Sequence, residues 1–431
     1  AHTMRLLPTP SWRSLFAATL LASVTACSST FNPTPMDQVP FMDRAESQST
    51  DEVTITVAVL SADEAQQVFD GKLYKKGIQP IWLEITNHTD GPMLFLPSSL
   101  DPFYFSPLEA AQKVGWTWRK ESHREAADFF YERQIELEIE AGETVSGFVF
   151  ANRNKGVRLV MAEVVGPDWR QHFEFLIEVP GFKADYHRVD VDKLYPDQEI
   201  TDLDADGLRA WINELPCCVT NADGSKNGDP VNLVVIGEEP AVWPAFSRAG
   251  WVPTESMRAG SALKTGFYGI FGGAYRHAPI SPLYLLGRSQ DIALQKVRSN
   301  IHYRNHLRLW LAPVTFEGKP VQVGQISRDI GSRFTSKSST LTTHRIDPDV
   351  DETRANLVQD LIYSQGLEAF AFAAGVGVAP PEAPRQNLTG DVYFTDGRRL
   401  VMWLTDEPTT ILEIDFIRWE PSPSNVEEVV K

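Results

Sequence analysis

The sequence predicts a multidomain chain in which an all-β sandwich precedes a mixed α/β (or α+β) domain. Three observations lead there. At 431 residues the chain is long for one core and long enough for two or three. Its first half holds segments that alternate apolar and polar residues with period two, the mark of strands with one wet face. Its second half mixes continuous apolar runs with segments of helical spacing.

Composition narrows the function classes. Forty Lys and Arg against 57 Asp and Glu leave a formal net charge of −17, which repels polyphosphate and excludes general nucleic-acid binding. A hydrophobic fraction of 42% fills packed cores and excludes a mainly disordered chain.

Residues 1–27 read as an address rather than a fold. Arg5 and Arg13 precede an apolar stretch, Leu15–Ala22, too short to span a bilayer. The segment ends Val24-Thr25-Ala26-Cys27, which resembles the bacterial lipobox, an aliphatic and two small residues before a cysteine. The resemblance implies that Cys27 is lipidated and holds the chain to a membrane. Ser28 after it implies an outer-membrane lipoprotein facing the periplasm of the cell envelope. Residues 28–51, rich in Ser, Thr, Pro and Asp with no periodic apolar face, read as a flexible tether.

Residues 52–186 read as an immunoglobulin-like sandwich. Val53–Val59 places branched residues at every odd position, Ile81, Leu83 and Ile85 repeat the pattern, and Phe173, Phe175, Ile177 and Val179 oppose His172, Glu174 and Glu178. Short helices are expected at Ser61–Phe69 and Ser122–Arg133, each opening on a serine cap. Residues 187–199 form a linker.

The second domain is expected at 200–420, with 421–431 as a flexible tail. Asp202-Leu203-Asp204-Ala205-Asp206-Gly207 opens like a calcium loop, yet Asn213 stands where the bidentate glutamate belongs, so a helix capped by Asp206 is the simpler reading. Asn221–Pro230 is turn chemistry. The adjacent Cys217 and Cys218 leave three readings open: packed thiols, a vicinal disulfide, or redox or metal chemistry. Val231–Ile236 reads as a strand buried on both faces, Glu239–Ala249 as a helix, and Leu283–Leu286, His306–Leu311 and Val321–Ser327 as strands. A helix follows Asp351, and a turn at Thr395–Arg398 joins Val392–Phe394 to Leu400–Leu404 as a hairpin.

Several stretches of this domain resemble the LssY-like C-terminal domain family. They are GDPVNLVVIG with Ala249-Gly250-Trp251, SPLYLLGRSQDIALQK at 281–296, RNHLRLW at 304–310, THRIDPDVDETR at 343–354 and FTDGRRLVMWL near the end. The resemblance identifies the domain and implies no particular activity.

If His302–Leu311 is extended, His302, Arg304, His306, Arg308 and Trp310 share one face, with Tyr303, Leu307, Leu309 and Leu311 on the core side. Cations beside an indole suit an anion or a sugar. Arg288, Lys296, Arg304, Arg308 and Trp310 are therefore the candidate ligand-binding residues. His306, His344 and Asp347 are candidate catalytic residues, a histidine with a carboxylate being a general base. A plainer reading has Arg308 paired with Asp347 or Asp351. No G-x-S-x-G, P-loop or H-E-x-x-H occurs, and His277, His302, His306 and His344 fit no metal template, so neither metal nor cofactor is expected. The leading expectation is binding of an anionic lipid headgroup or glycan of the envelope. Hydrolysis of a phosphoester or related ester is the rival, and a structural role beside an envelope or secretion protein partner is the third. Whether the protein is an enzyme stays open.

Overall fold

The computed structural model describes residues 31–114, 120–179, 189–196, 199–254, 280–297, 303–334 and 342–420. The leader with Cys27, the tail 421–431, His277, His302 and parts of the tether and linker spans lie outside the described residues. The chain is multidomain and strand-rich, and it divides into two units, 1–153 and 154–431. The division falls inside the span 52–186.

The first unit runs β1 (Glu46–Ser49), β2 (Val53–Val59), α1 (Ala62–Phe69), β3 (Ile78–Asn87), β4 (Met93–Leu96), α2 (Pro107–Val114), α3 (Lys120–Glu132), β5 (Glu138–Ile139) and β6 (Thr144–Asn152). Strands β1-β2-β3-β6 form an antiparallel sheet in that order. Its register places Val53, Ile55, Val57, Ile81, Leu83 and Ile85 on one face, all buried. The opposite face is wet only at one end, where Thr54, Thr56, Glu84 and Thr86 are half-buried and Thr144 and Ser146 exposed; the other end is covered. Trp82, Phe148 and Phe150 project from it against Phe69 of α1, Ala110 and Ala111 of α2, and Phe130 of α3. Phe69 lies 4.7 Å from Phe130 and 5.0 Å from Phe148, ring centre to ring centre. Such aromatic packing adds to area burial and draws the helices onto the sheet. Ser61 caps α1 through a reciprocal box with Glu64. Helix α3 is present from Lys120, so Ser122 lies within it rather than capping it.

The tether expected at 28–51 is folded from residue 31 onward. Phe41 is fully buried beside Trp82 and Phe148, and β1 pairs with β2. Scattered Met36, Val39 and Phe41 supply enough apolar area to dock the segment, although their spacing has no period.

The second unit begins with the hairpin β7 (Val157–Val165) and β8 (Arg170–Glu178), where Phe173, Phe175 and Ile177 are buried as the alternation predicts. Next come β9 (Thr201–Leu203), α4 (Ala205–Glu214), β10 (Cys218–Thr220), β11 (Asn227–Pro230), β12 (Leu233–Ile236), α5 (Glu239–Arg248), β13 (Val252–Pro253), β14 (Tyr284–Leu285), β15 (Arg288–Ser289) and β16 (Ile292–Val297). Then follow β17 (Arg304–Phe316), β18 (Lys319–Phe334), β19 (Thr342–Ile346), α6 (Val350–Tyr363), β20 (Leu367–Ala373), β21 (Arg385–Gln386), β22 (Val392–Tyr393), β23 (Arg399–Leu404) and β24 (Asp415–Ile417).

The main sheet is mixed, in the order β13-β16-β17-β18-β12-β23-β20-β24, with β9 beside β17 and β19 beside β18. Strand β12 runs parallel to β23 and antiparallel to β18, so it is internal, and its four residues are fully buried. One face carries Leu233, Val235, Leu307 and Leu309 under α5 and α6. The other carries Val234, Ile236, Trp310 and Val401 against Leu208 and Ile212 of α4.

Three local expectations change. Asp204, not Asp206, caps α4 through the Gly207 amide, and Asp202 accepts from Thr315 and the Gly318 amide in the β17–β18 turn. These carboxylates are used by the backbone, and among the described residues no group of three His, Cys, Asp or Glu is arranged for a metal ion. Residues 221–230 form the turn and second strand of a β10–β11 pair. The Thr395–Arg398 turn joins no hairpin, because β22 pairs with β21 while β23 enters the main sheet.

Phe69→Ala should cost the first unit about 3–5 kcal/mol, read from denaturant unfolding, and Phe69→Leu far less. A loss below about 1 kcal/mol for the alanine variant would show that the aromatic cluster does not hold the helices.

Candidate functional site

Strand β17 carries the residues of greatest chemical interest, and its neighbours fix their environment. His306 sits opposite Gln295 of β16 and Ser327 of β18, Arg308 opposite Gln325, and Trp310 opposite Val323. Arg304, His306, Arg308 and Trp310 thus share one face, as the alternation predicts. That face is closed to solvent, contrary to expectation: their exposures are 2%, 7%, 6% and 0%. The reason is topological. β17 lies between β16 and β18 in the middle of the sheet, and both faces are covered.

At the Trp310 end this face is apolar, and toward Arg304 it becomes a polar seam. Asp329 of β18 takes Arg304 Nε at 3.4 Å and stands 3.3 Å from His306 Nε2. Arg304 also donates to Gln295 Oε1 at 2.7 Å. Arg308 donates to Gln325 Oε1 at 2.8 Å and to the Ser281 carbonyl at 3.1 Å. Burial pushes the Asp329 carboxyl up to about 7 against the pull of Arg304, and pulls the Arg304 guanidinium below its ordinary value despite Asp329. Asp229 of β11, accepting from Asn387, is likewise raised by burial against the opposing charge of Arg308.

The other candidates are engaged elsewhere. Arg288 forms a fork on Asp291 at 2.9 and 2.7 Å and also donates to Tyr195 and to the Leu311 carbonyl. Trp310 Nε1 donates to the Arg288 carbonyl, so these two are neighbours. Lys296 sits opposite Asn305 and pairs with Asp360 of α6 at 2.7 Å, away from the seam. His344 lies on β19 opposite Ser332. Asp347 accepts from the Asp349 amide in the turn before α6, and the carboxylate beside His306 is Asp329 instead. Arg308 pairs with neither Asp347 nor Asp351. Asp351 holds Thr395 and the Asp396 amide, and Arg354 forks onto Asp396. The stretches at 343–354 and 394–404 thereby meet as a clamp at the start of α6.

Sequence reasoning missed Asp329, Gln295 and Gln325, although Gln325, Ser327 and Asp329 alternate along β18 and mark a polar stripe. It also missed Arg399, fully buried, which donates to the carbonyls of Val231, Leu215, Pro216 and Gly375 at 2.6 to 3.1 Å. Burial lowers that guanidinium to about 10. Cys217 and Cys218 form a vicinal disulfide, one of the three readings left open.

Residues 212–398 match the family model described as LssY C-terminus, so the second unit carries an LssY-like module. The match spans α4 to the turn before β23 and includes the seam, the fork at Arg288 and the clamp at α6. No curated protein matches the chain. Among the described residues no helix is long and apolar enough to cross a membrane.

The Asp329 carboxyl sets a pH dependence. In the folded chain it keeps its proton to about 7, whereas its ordinary value is 3.8, so the folded state binds more protons between these limits. Its stabilising contribution is complete below the lower value and is lost as pH rises through the upper one. Asp329→Asn should remove that loss. Across this pH range the stability difference between the two proteins should change by a few kcal/mol, on the order of 1.4 for each tenfold gain in proton affinity on folding. Parallel pH–stability curves would contradict this placement of the group.

Proposed function

We propose that this is a lipid-anchored outer-membrane protein, tethered through Cys27, whose LssY-like unit serves as a non-catalytic docking module for an envelope protein partner. In this reading the first unit is an immunoglobulin-like domain elaborated by helices, and the second a mixed α/β domain. The leader pattern around Cys27 supports the address.

The single observation behind the docking role is the edge of the main sheet at β24. Strand β24 pairs only with β20 among the described strands, and Phe416 on it is 53% exposed. Phe416 stacks on Phe370 at 4.7 Å, and Phe372 lies 6.1 Å away. The preceding turn exposes Ile411 and Leu412, the latter at 93%. Arg398 lies over the Phe372 ring at 4.7 Å. An aromatic shelf with aliphatic side chains projecting beside it is a contact surface for another protein. The edge itself is three residues long, so side chains rather than added strands would supply the affinity.

The anion-binding and hydrolytic readings receive less support, because the cations and the histidine on which they rest are buried and turned to internal partners. In both, a ligand would first have to displace an interaction such as Arg308–Gln325 or Arg304–Asp329.

A photo-crosslinking residue placed at Leu412 or Phe416 in cells should give one discrete adduct that the same residue at exposed Asp223 does not give. Leu412→Asp in the crosslinking background should reduce the adduct several-fold while leaving the melting temperature unchanged. Equal labelling from Asp223, or no adduct at either edge position, would sink the docking role. Retention of Cys27→Ala in the membrane fraction would sink the anchor.

A further inference from the structure

The vicinal disulfide stands apart from everything above. A bridge between adjacent residues closes a ring across one peptide bond, so it restrains almost none of the unfolded chain. The surrounding backbone does not need it either. Arg399 already ties the carbonyls of Leu215, Pro216 and Val231 together, and the Val231 amide donates to the Cys217 carbonyl. β10 is held further by β11 and β14. A bond with so little structural work invites a chemical explanation.

The two sulfurs are unlike. Cys217, just before β10, is partly exposed, whereas Cys218 at its start is buried. Cys218 Sγ lies 3.7 Å from the hydroxyl of Tyr393, itself buried. A disulfide sulfur has no proton, so Tyr393 is the donor in this pair. The same hydroxyl donates to the Gly228 carbonyl at 3.4 Å, so its one proton is shared between the carbonyl and the sulfur. Burial raises the phenol above its ordinary value, so it stays protonated as a donor. In thiol–disulfide exchange the accessible sulfur is attacked, and the sulfur that leaves does so faster when its thiolate is stabilised.

We propose that Cys217–Cys218 is a redox-exchange site that accepts two electrons from a dithiol reductant, with Cys217 as the attacked sulfur, Cys218 as the leaving sulfur and Tyr393 as the positioning donor. One thiolate of the reductant attacks Cys217 Sγ, forming a mixed disulfide and breaking the Cys217–Cys218 bond. The electron pair passes to Cys218 Sγ, which Tyr393 steadies and solvent protonates. The second thiolate of the reductant attacks its partner sulfur in the mixed disulfide and releases Cys217, which also takes a proton. The site gains two electrons and two protons, and the reductant leaves as a disulfide.

The test follows the tryptic peptide Ala210–Lys226, which carries both cysteines and excludes Cys27. Intact folded protein is exposed to dithiothreitol, quenched with N-ethylmaleimide and weighed. Without reductant the peptide should take up no maleimide; with it, two, while circular dichroism stays unchanged, and oxidised dithiothreitol should restore the bond. Glutathione, a monothiol, should be trapped on Cys217 rather than Cys218. Tyr393→Phe should slow reduction about fivefold, the worth of one hydrogen bond. Two maleimides without reductant, reaction only in denaturant, melting of the fold on reduction, or glutathione on Cys218 would each overturn the proposal. An unchanged rate in Tyr393→Phe would remove that residue from it, and the glutathione position reads the two sulfurs' roles without any variant.

Discussion

A buried ion cluster governs how the second unit is put together. Arg304 and Asp329 face each other across β17 and β18, with His306 beside them, in the interior of the main sheet. Removing charges from water is expensive, and removing one partner of such a pair leaves the other stranded, at a typical cost of about 3–5 kcal/mol. The pair therefore penalises any slip in register between these strands, since a one-residue shift would turn Asp329 away from Arg304. The apolar residues on the same strands tolerate exchange among themselves; the ion pair does not.

The same device recurs. Arg399 gathers four carbonyls from three chain segments, Arg354 and Asp351 bind the 395–398 turn to the start of α6, and Arg288 fixes Asp291 beside Trp310. Cations used in this way are withdrawn from the surface. Carboxylates such as Asp229, Asp291, Asp329 and Asp391 are buried alongside them, so the acidic balance of the chain, net −17, stays on the exterior and repels anionic headgroups rather than attracting them. The burial of the seam and the sign of the outer field thus favour a contact surface built from side chains such as Leu412 and Phe416.

Much of the architecture was legible in the sequence because side-chain period is a local property. The strands at Val53–Val59, Ile81–Ile85 and Leu233–Ile236 and the capped helix after Ser61 are readable from residues within a few positions of one another. The common face of Arg304, His306, Arg308 and Trp310 was readable for the same reason. Its burial was not. Whether a polar strand face meets water depends on the strand's neighbours, and Asp329 and Gln295 reach the seam only through the pairing of β16, β17 and β18. The docking of Phe41 under the first sheet is not legible in the sequence, because it depends on isolated apolar residues without periodicity. Arg399 illustrates the limit: nothing in FTDGRRLVMWL distinguishes an arginine that binds four carbonyls from one that faces solvent.

Native-state hydrogen exchange along β17 bears most directly on the claim that the Arg304–Arg308 segment is internal. If it is, the amides of residues 305–309 should exchange as slowly as those of Leu233–Ile236 in β12, and Asp329→Leu should speed both β17 and β18 together. Fast exchange at 305–309 beside a protected β12 would show an open basic ribbon and contradict the buried seam.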